Sequence, residues 1–232
     1  MTRLRTNLIA NFAGAGWSAG IQLACVPLFI KLLGVEAYGL IGFFASLQIA
    51  LQALNMGLSA TVNRQLARYS TLPDKAQEPR DLLHTLATGC WAIGLLLGGS
   101  IALMAPAISG SWLRADALGP SAVRDAVQMM GLIIALQWPL SVYQGGLLGL
   151  QRHVLLNVLR ILSATINTGG AVLALWFFSR HVETFFLWQI VGSLLQVVDL
   201  PAACNATKPL PSGPPAAGCP RFATERKSLR AD

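Results

Sequence analysis

Between Leu40 and Val62 the chain carries no charge and is mostly apolar, yet Gln48, Gln52, Asn55 and Ser59 recur along it, with Asn63 just beyond, at steps of four, three, four and four. That spacing is one face of an α-helix. About 20 apolar residues cross a bilayer as a helix, while an amide turned toward lipid would cost several kcal/mol. The stretch therefore predicts a spanning helix with a polar stripe facing inward.

Composition agrees with a membrane environment. Of 232 residues 54% are hydrophobic and 12% charged, and the mean hydropathy is +0.56, outside the range of ordinary soluble domains. Five further apolar runs accompany the first, at 8–30, 86–108, 126–150, 161–178 and 185–198, the last short for a span. The expected fold is an all-α integral membrane bundle of about six helices over residues 1–198. A proline-rich tail, 199–232, is expected to be disordered, since it holds six of the twelve prolines. The change of composition falls before the sixth run completes a comfortable span. It predicts an interrupted reading frame near Asp199, with a natural proline-rich cytoplasmic tail as the alternative.

The formal net charge of +7 follows the loops. With the N-terminus in the cytoplasm, thirteen of the seventeen Lys and Arg residues fall on that side, and only Lys31, Arg114, Arg124 and Arg180 fall outside. The positive-inside rule gives a six-helix, multi-pass topology with both termini cytoplasmic, and removes the reason to read the charge as nucleic-acid binding. The uncharged run after Arg3 and Arg5 is longer than a signal-peptide core, so it reads as the first span. Cys25, Cys90, Cys204 and Cys219 have no metal-ligand spacing, and neither a metal nor a cofactor is expected. His84, His153 and His181 lie in separate loops and assemble no catalytic constellation, so an enzyme is not expected.

Small residues at spacing four (Gly16 with Gly20, Gly94 with Gly98, Gly145 with Gly149) predict close helix packing or a dimer face. Pro27 and Pro139 each remove a backbone donor inside a span and predict kinks. Trp91, Trp138, Trp176 and Trp188 read chiefly as residues at headgroup depth.

Polar stripes recur beyond the second helix. The first carries Asn7, Asn11, Ser18 and Gln22, the fourth Gln137, Ser141, Gln144 and Gln151, the fifth Ser163 and Asn167 above Arg160, and the sixth Gln189, Ser193 and Gln196. One amide in a span is ordinary helix-to-helix glue. Aligned stripes on several helices predict a hydrated central cavity, with Asn11, Gln22, Gln48, Gln52, Asn55, Gln137 and Gln144 as candidates for a substrate path. Amides can hydrogen-bond sugar hydroxyls without adding charge. The first five runs hold no Asp or Glu, which counts against proton or sodium coupling. Lys31, Arg64 and Arg160, at helix ends, are candidates for a phosphate or pyrophosphate, with positive-inside anchoring as their alternative reading.

Residues 26–69, VPLFIKLLGVEAYGLIGFFASLQIALQALNMGLSATVNRQLARY, resemble the N-terminal helical hairpin of bacterial polysaccharide and O-antigen flippases. Leu32, Leu33, Gly34, Glu36, Tyr38 and Gly39 supply an LLG-x-E-x-YG turn, and Met56, Gly57 and Leu58 with Arg64 an LGL-like helix end. The stretch YQGGLLGLQRHVLLNVLRIL, 143–162, is similar to the segment joining that family's fourth and fifth helices. The resemblance implies membership of the multidrug and oligosaccharidyl-lipid exporter superfamily, in which two six-helix lobes enclose a cavity that rocks between inward and outward openings. It implies a polyprenyl-pyrophosphate-linked oligosaccharide as substrate, moved across the bacterial inner membrane for cell-surface polysaccharide or O-antigen synthesis. Members of that family are about twice as long, so this chain corresponds to the N-terminal lobe, and transport is expected to need a second copy or a second lobe. The alternatives are a multidrug exporter of the same superfamily and a non-transporting fragment or assembly partner.

Overall fold

The computed structural model describes residues 2–69, 78–111, 119–149 and 152–206. The chain is an all-α membrane protein, and no described residue lies in a strand. Its helices are α1 (Thr2–Leu33), α2 (Val35–Tyr69), α3 (Glu78–Ser111), α4 (Pro120–Gln137), α5 (Leu140–Gly149), α6 (His153–Ala164), α7 (Gly170–Phe177) and α8 (Val182–Ala206), with a π-helical turn, Thr165–Gly169, between α6 and α7. Among the described residues six stretches are long and apolar enough to cross a membrane: one each in α1, α2, α3 and α8, one formed by α4 with α5, and one by α6, the π turn and α7.

Gly34 alone separates α1 from α2, a tighter hairpin than the nine residues between the first two apolar runs suggest. Its φ of +86° is the left-handed conformation that ends a helix without a Cβ penalty. Its N–H donates to the Ile30 carbonyl (2.9 Å), and its own carbonyl accepts from the Tyr38 N–H (3.2 Å), so one residue stops one helix and starts the next. A Cβ at Gly34 would meet nothing within 4 Å. Gly34→Ala therefore isolates backbone strain from crowding and should destabilise the protein by about 1–2 kcal/mol. Gly34→Asn should cost less, and unfolding midpoints in detergent measure both.

Pro139 divides the fourth span. Lacking an N–H it gives the Ala135 carbonyl no i+4 donor, and the chain turns at Trp138–Pro139 before resuming as α5. Ser141 and Val142 donate instead to Trp138 and Pro139 three residues back, at 3.4 and 3.2 Å. The Ala135 carbonyl lies against Gly94 of α3, where a Cβ would stand 2.9 Å away. Pro27, by contrast, sits inside an uninterrupted α1.

The π turn interrupts the fifth span where Thr165 offers a competing hydroxyl and Gly169–Gly170 a permissive backbone. Two indoles brace it. Trp17 donates to Thr165 Oγ1 (3.0 Å), and Trp188 donates to the Ile166 carbonyl (2.8 Å) while its ring occupies the space a Cβ on Gly170 would need. Trp188 is thus a bridge between spans, whereas Trp176, 66% exposed near the end of α7, suits a headgroup position.

The sixth span is longer than expected. α8 passes Asp199 and Pro201 and runs to Ala206, with Leu200 and Cys204 buried in the core, so the boundary drawn at 198 falls inside a helix. Residues 207–232, the remainder of the expected tail, lie outside the described residues, as does Gln151.

The core forms two clusters along the bundle. Near the hairpin, Phe29, Phe44, Met130, Leu175 and Phe186 pack together, and toward the other end Cys90, Trp138, Leu147, Leu156 and Leu200 do so. The outer surface is apolar, with Leu54, Leu96, Leu103 and Phe177 all more than half exposed, as a lipid-facing surface requires. Of the small-residue pairs, Gly94 and Gly98 touch α4 directly, whereas Gly16 and Gly20 face open space.

Candidate functional site

α1 lies chiefly against α6, and α2 chiefly against α5. Between these pairs, backed by α4 and α8, is a cavity of about 1270 Å³, above the roughly 300–1,000 Å³ usual for small-molecule pockets. Near the hairpin its wall is apolar. Phe29, Phe44 and Phe185 line it there, and with Phe186 they interlock edge to face: Phe29–Phe185 at 5.4 Å, Phe185–Phe186 at 5.3 Å and Phe44–Phe186 at 5.6 Å between ring centres. These four rings are buried.

Away from the rings the wall is polar. Gln22, Gln48, Gln52, Asn55, Gln137 and Gln144, six of the seven path candidates, line this one cavity, together with Ser141, Asn167, Thr168, Gln189 and Gln196. The stripe that begins at Gln48 on α2 faces inward through Asn55. Ser59 and Asn63 lie further along the same helix.

These amides divide into two groups. Gln48 Nε2 donates to Gln137 Oε1 (2.8 Å) and Gln137 Nε2 donates to the fully buried Ser193 hydroxyl (3.1 Å), so both ends of Gln137 are used and α2, α4 and α8 are tied together. Ser141, with one proton to give, stands between Asn55 Oδ1 (3.1 Å) and the Trp138 carbonyl (2.9 Å). Gln144 Oε1 accepts from Arg160 Nη2 (3.2 Å). The second group, Gln22, Gln52, Gln189 and Gln196, has no side-chain hydrogen bond among the described residues. Committed and uncommitted amides therefore share one cavity wall.

Asn11 is the exception among the path candidates. It accepts from Asn157 Nδ2 of α6 and does not line the cavity. Asn157 is 4% exposed, also donates to the His153 carbonyl (2.8 Å), and fits into the space left by Gly14. Asn11 and Gln22 share a face of α1, but α6 covers that face around Gly14 and leaves it open only further along. Asn11 is glue, and the sequence periodicity could not say where a neighbouring helix would lie.

The basic candidates separate too. Among the described residues lining the cavity, Arg160 is the one charged side chain. It sits two turns into α6, within the span His153–Phe177. Only one of its five N–H donors is used among the described residues. Lys31, in the last turn of α1, and Arg64, beyond the apolar part of α2, are exposed and do not line the cavity.

Asp199 alters the charge pattern of the spans. Extending the sixth stripe Gln189, Ser193, Gln196 by three residues reaches it, so the same periodicity contained the signal. It lies inside the candidate span Val182–Cys204. The absence of carboxylates in the first five runs consequently carries no weight against ion coupling in the whole bundle.

No protein-family model, curated protein or solved structure matches this chain.

Proposed function

We propose that this chain is one lobe of a membrane translocator for lipid-linked oligosaccharides, holding sugar hydroxyls on its amide wall and the pyrophosphate near Arg160. The observation that carries this reading is a single guanidinium facing an amide-lined cavity with no carboxylate among the described residues of its wall. A cation in such surroundings is complemented by an anion, and uncommitted amides both donate to and accept from hydroxyls. The cavity suits an anionic, polyhydroxylated ligand better than a cationic drug. The resemblance of residues 26–69 and 143–162 to polysaccharide flippases points to the same substrate class. With the N-terminus cytoplasmic, the aromatic rings would lie toward the outer side and the polar wall would face the leaflet where such glycolipids are made.

Binding to the purified protein in lipid nanodiscs tests the reading. A polyprenyl-pyrophosphate-linked oligosaccharide should bind more tightly than the same polyprenyl pyrophosphate without sugar, and a cationic dye should not compete. Equal affinity with and without the sugar, or displacement by the dye, sinks the proposal. Reconstitution with and without a partner lobe then asks whether the chain translocates alone.

The division of the amides gives a sharper expectation. Gln52→Leu removes an uncommitted cavity amide and should weaken glycolipid binding about 2–10-fold, with thermal stability nearly unchanged. Gln48→Leu strips Gln137 Oε1 of its donor and should cost about 1–3 kcal/mol of stability. Paired unfolding and binding measurements on the two variants separate these roles.

A further inference from the structure

A second, smaller cavity of about 80 Å³ lies between α6, the π turn and α8. Its polar lining is Ser163 and Asn167, one helical turn apart on one span, and Gln196 and Asp199, three residues apart on the next. Apolar side chains such as Leu159 and Leu195 supply much of the rest. Three features set it apart from a packing gap. Asp199 is a carboxylate within an apolar span, and it makes no ion pair among the described residues. Asp199 is exposed on α8, and a carboxylate within a lipid-facing span is costly unless a counter-charge meets it. Asn167 Oδ1 is buried without a hydrogen-bond donor, pressed against Gly192 in the space where a Cβ would stand. Finally, the backbone here is the π turn, a feature that recurs at functional sites.

We propose that this pocket binds a small monovalent cation, with Asp199 as its charged ligand and Asn167 Oδ1, Gln196 Oε1 and Ser163 Oγ as neutral oxygen ligands. All four groups are hard oxygen donors, and a single carboxylate balances one positive charge. Divalent calcium sites draw on more carboxylates and on six to eight oxygens. The volume is sufficient for an ion with one or two waters, since a water needs about 10–15 Å³ of such space. The bound ion supplies the partner that Asn167 Oδ1 lacks and the counter-charge that Asp199 lacks. Arg160, the nearest cation in the sequence of α6, faces the main cavity and Gln144.

The position has a functional consequence. Asn167 and Gln196 line both cavities, so an ion that turns their oxygens toward Asp199 changes what their amides present to the larger one. Occupancy of the two cavities is linked, and linkage is reciprocal. The ion site itself stands whatever the larger cavity carries.

Thermal unfolding of the full chain in detergent, with sodium, potassium or choline chloride at constant ionic strength, is the test. Sodium or potassium should raise the midpoint saturably by several degrees, and choline, too large for the pocket, should not. Asp199→Asn should abolish the shift, and Gln196→Leu should raise the half-saturating concentration at least tenfold. Equal shifts with choline, a response confined to calcium or to acidification, or an undiminished response in Asp199→Asn overturns the proposal. Should Asp199→Asn fail to fold, Gln196→Leu and Ser163→Ala decide it, because an unchanged cation response in both has the same force.

Discussion

Gly98→Val is expected to prevent this chain from forming its bundle. A Cβ at Gly98 would lie 2.3 Å from the Gly131 carbonyl oxygen, and one at Gly131 would lie 2.5 Å from the Gly98 carbonyl oxygen. The obstacle in each case is backbone on the facing helix, so no side-chain rotation relieves it. α3 and α4 form the most extensive helix pair in the molecule, and moving them apart forfeits dispersion contacts along its whole length. Overpacking of this kind typically costs 1–3 kcal/mol where side chains can shift, and a reciprocal backbone clash should exceed about 3 kcal/mol. Gly131→Val should behave alike, and even Gly98→Ala should lower the unfolding midpoint. Gly16→Ala is the control. Nothing lies within 4 Å of its would-be Cβ, and alanine in a helix interior is favoured over glycine by about 1 kcal/mol. Monodispersity and unfolding midpoint in detergent read all four variants, and a well-folded Gly98→Val would show that the two helices do not approach so closely.

The glycine pairs also show what periodicity can and cannot reveal. Spacing four identifies a face that permits close approach, and it did so equally for Gly16 with Gly20 and for Gly94 with Gly98. Only the second pair has a helix upon it, because α6 meets α1 nearer Gly14 while α4 lies along α3. The amides follow the same logic. That Gln48, Gln52 and Asn55 face inward was legible, since a 3.6-residue period fixes the face. Which of them is committed was not, because commitment depends on groups far away in the chain: Gln137 for Gln48, Ser141 for Asn55, Asn157 for Asn11. Six spans could be read from hydropathy, yet the end of the last was misplaced, since Asp199 and Pro201 look like a stop in isolation. Leu200 and Cys204 find buried positions opposite α5 and α6, and tertiary packing carries the helix onward. The π turn left only a faint trace, Thr165 with Gly169 and Gly170, and its bracing by Trp17 and Trp188 is again long-range.

Arg160→Gln should reduce the affinity for a polyprenyl-pyrophosphate-linked oligosaccharide by roughly 10–150-fold, the range set by about 1.5–3 kcal/mol for a hydrogen bond to a charged group. The fold should survive, because a glutamine amide can still donate to Gln144 Oε1 and no carboxylate among the described residues of the cavity wall loses a partner. Arg160→Lys keeps the charge but not the fork that grips two phosphate oxygens, so it should restore only part of the loss. The deficit should vanish for an uncharged polyprenol-linked analogue, which separates recognition of the anion from damage to the sugar wall. Lys31→Gln should leave binding unchanged. α1 runs parallel to α6, with Asn11 beside Asn157 and Trp17 beside Thr165, and Lys31 lies fourteen residues past Trp17, roughly 20 Å along the axis at 1.5 Å per residue. Lys31 and Arg160 therefore cannot hold one pyrophosphate together. If Lys31→Gln weakened binding as much as Arg160→Gln, the anion would be captured at the hairpin end, and the amide wall would not be the route its sugars follow.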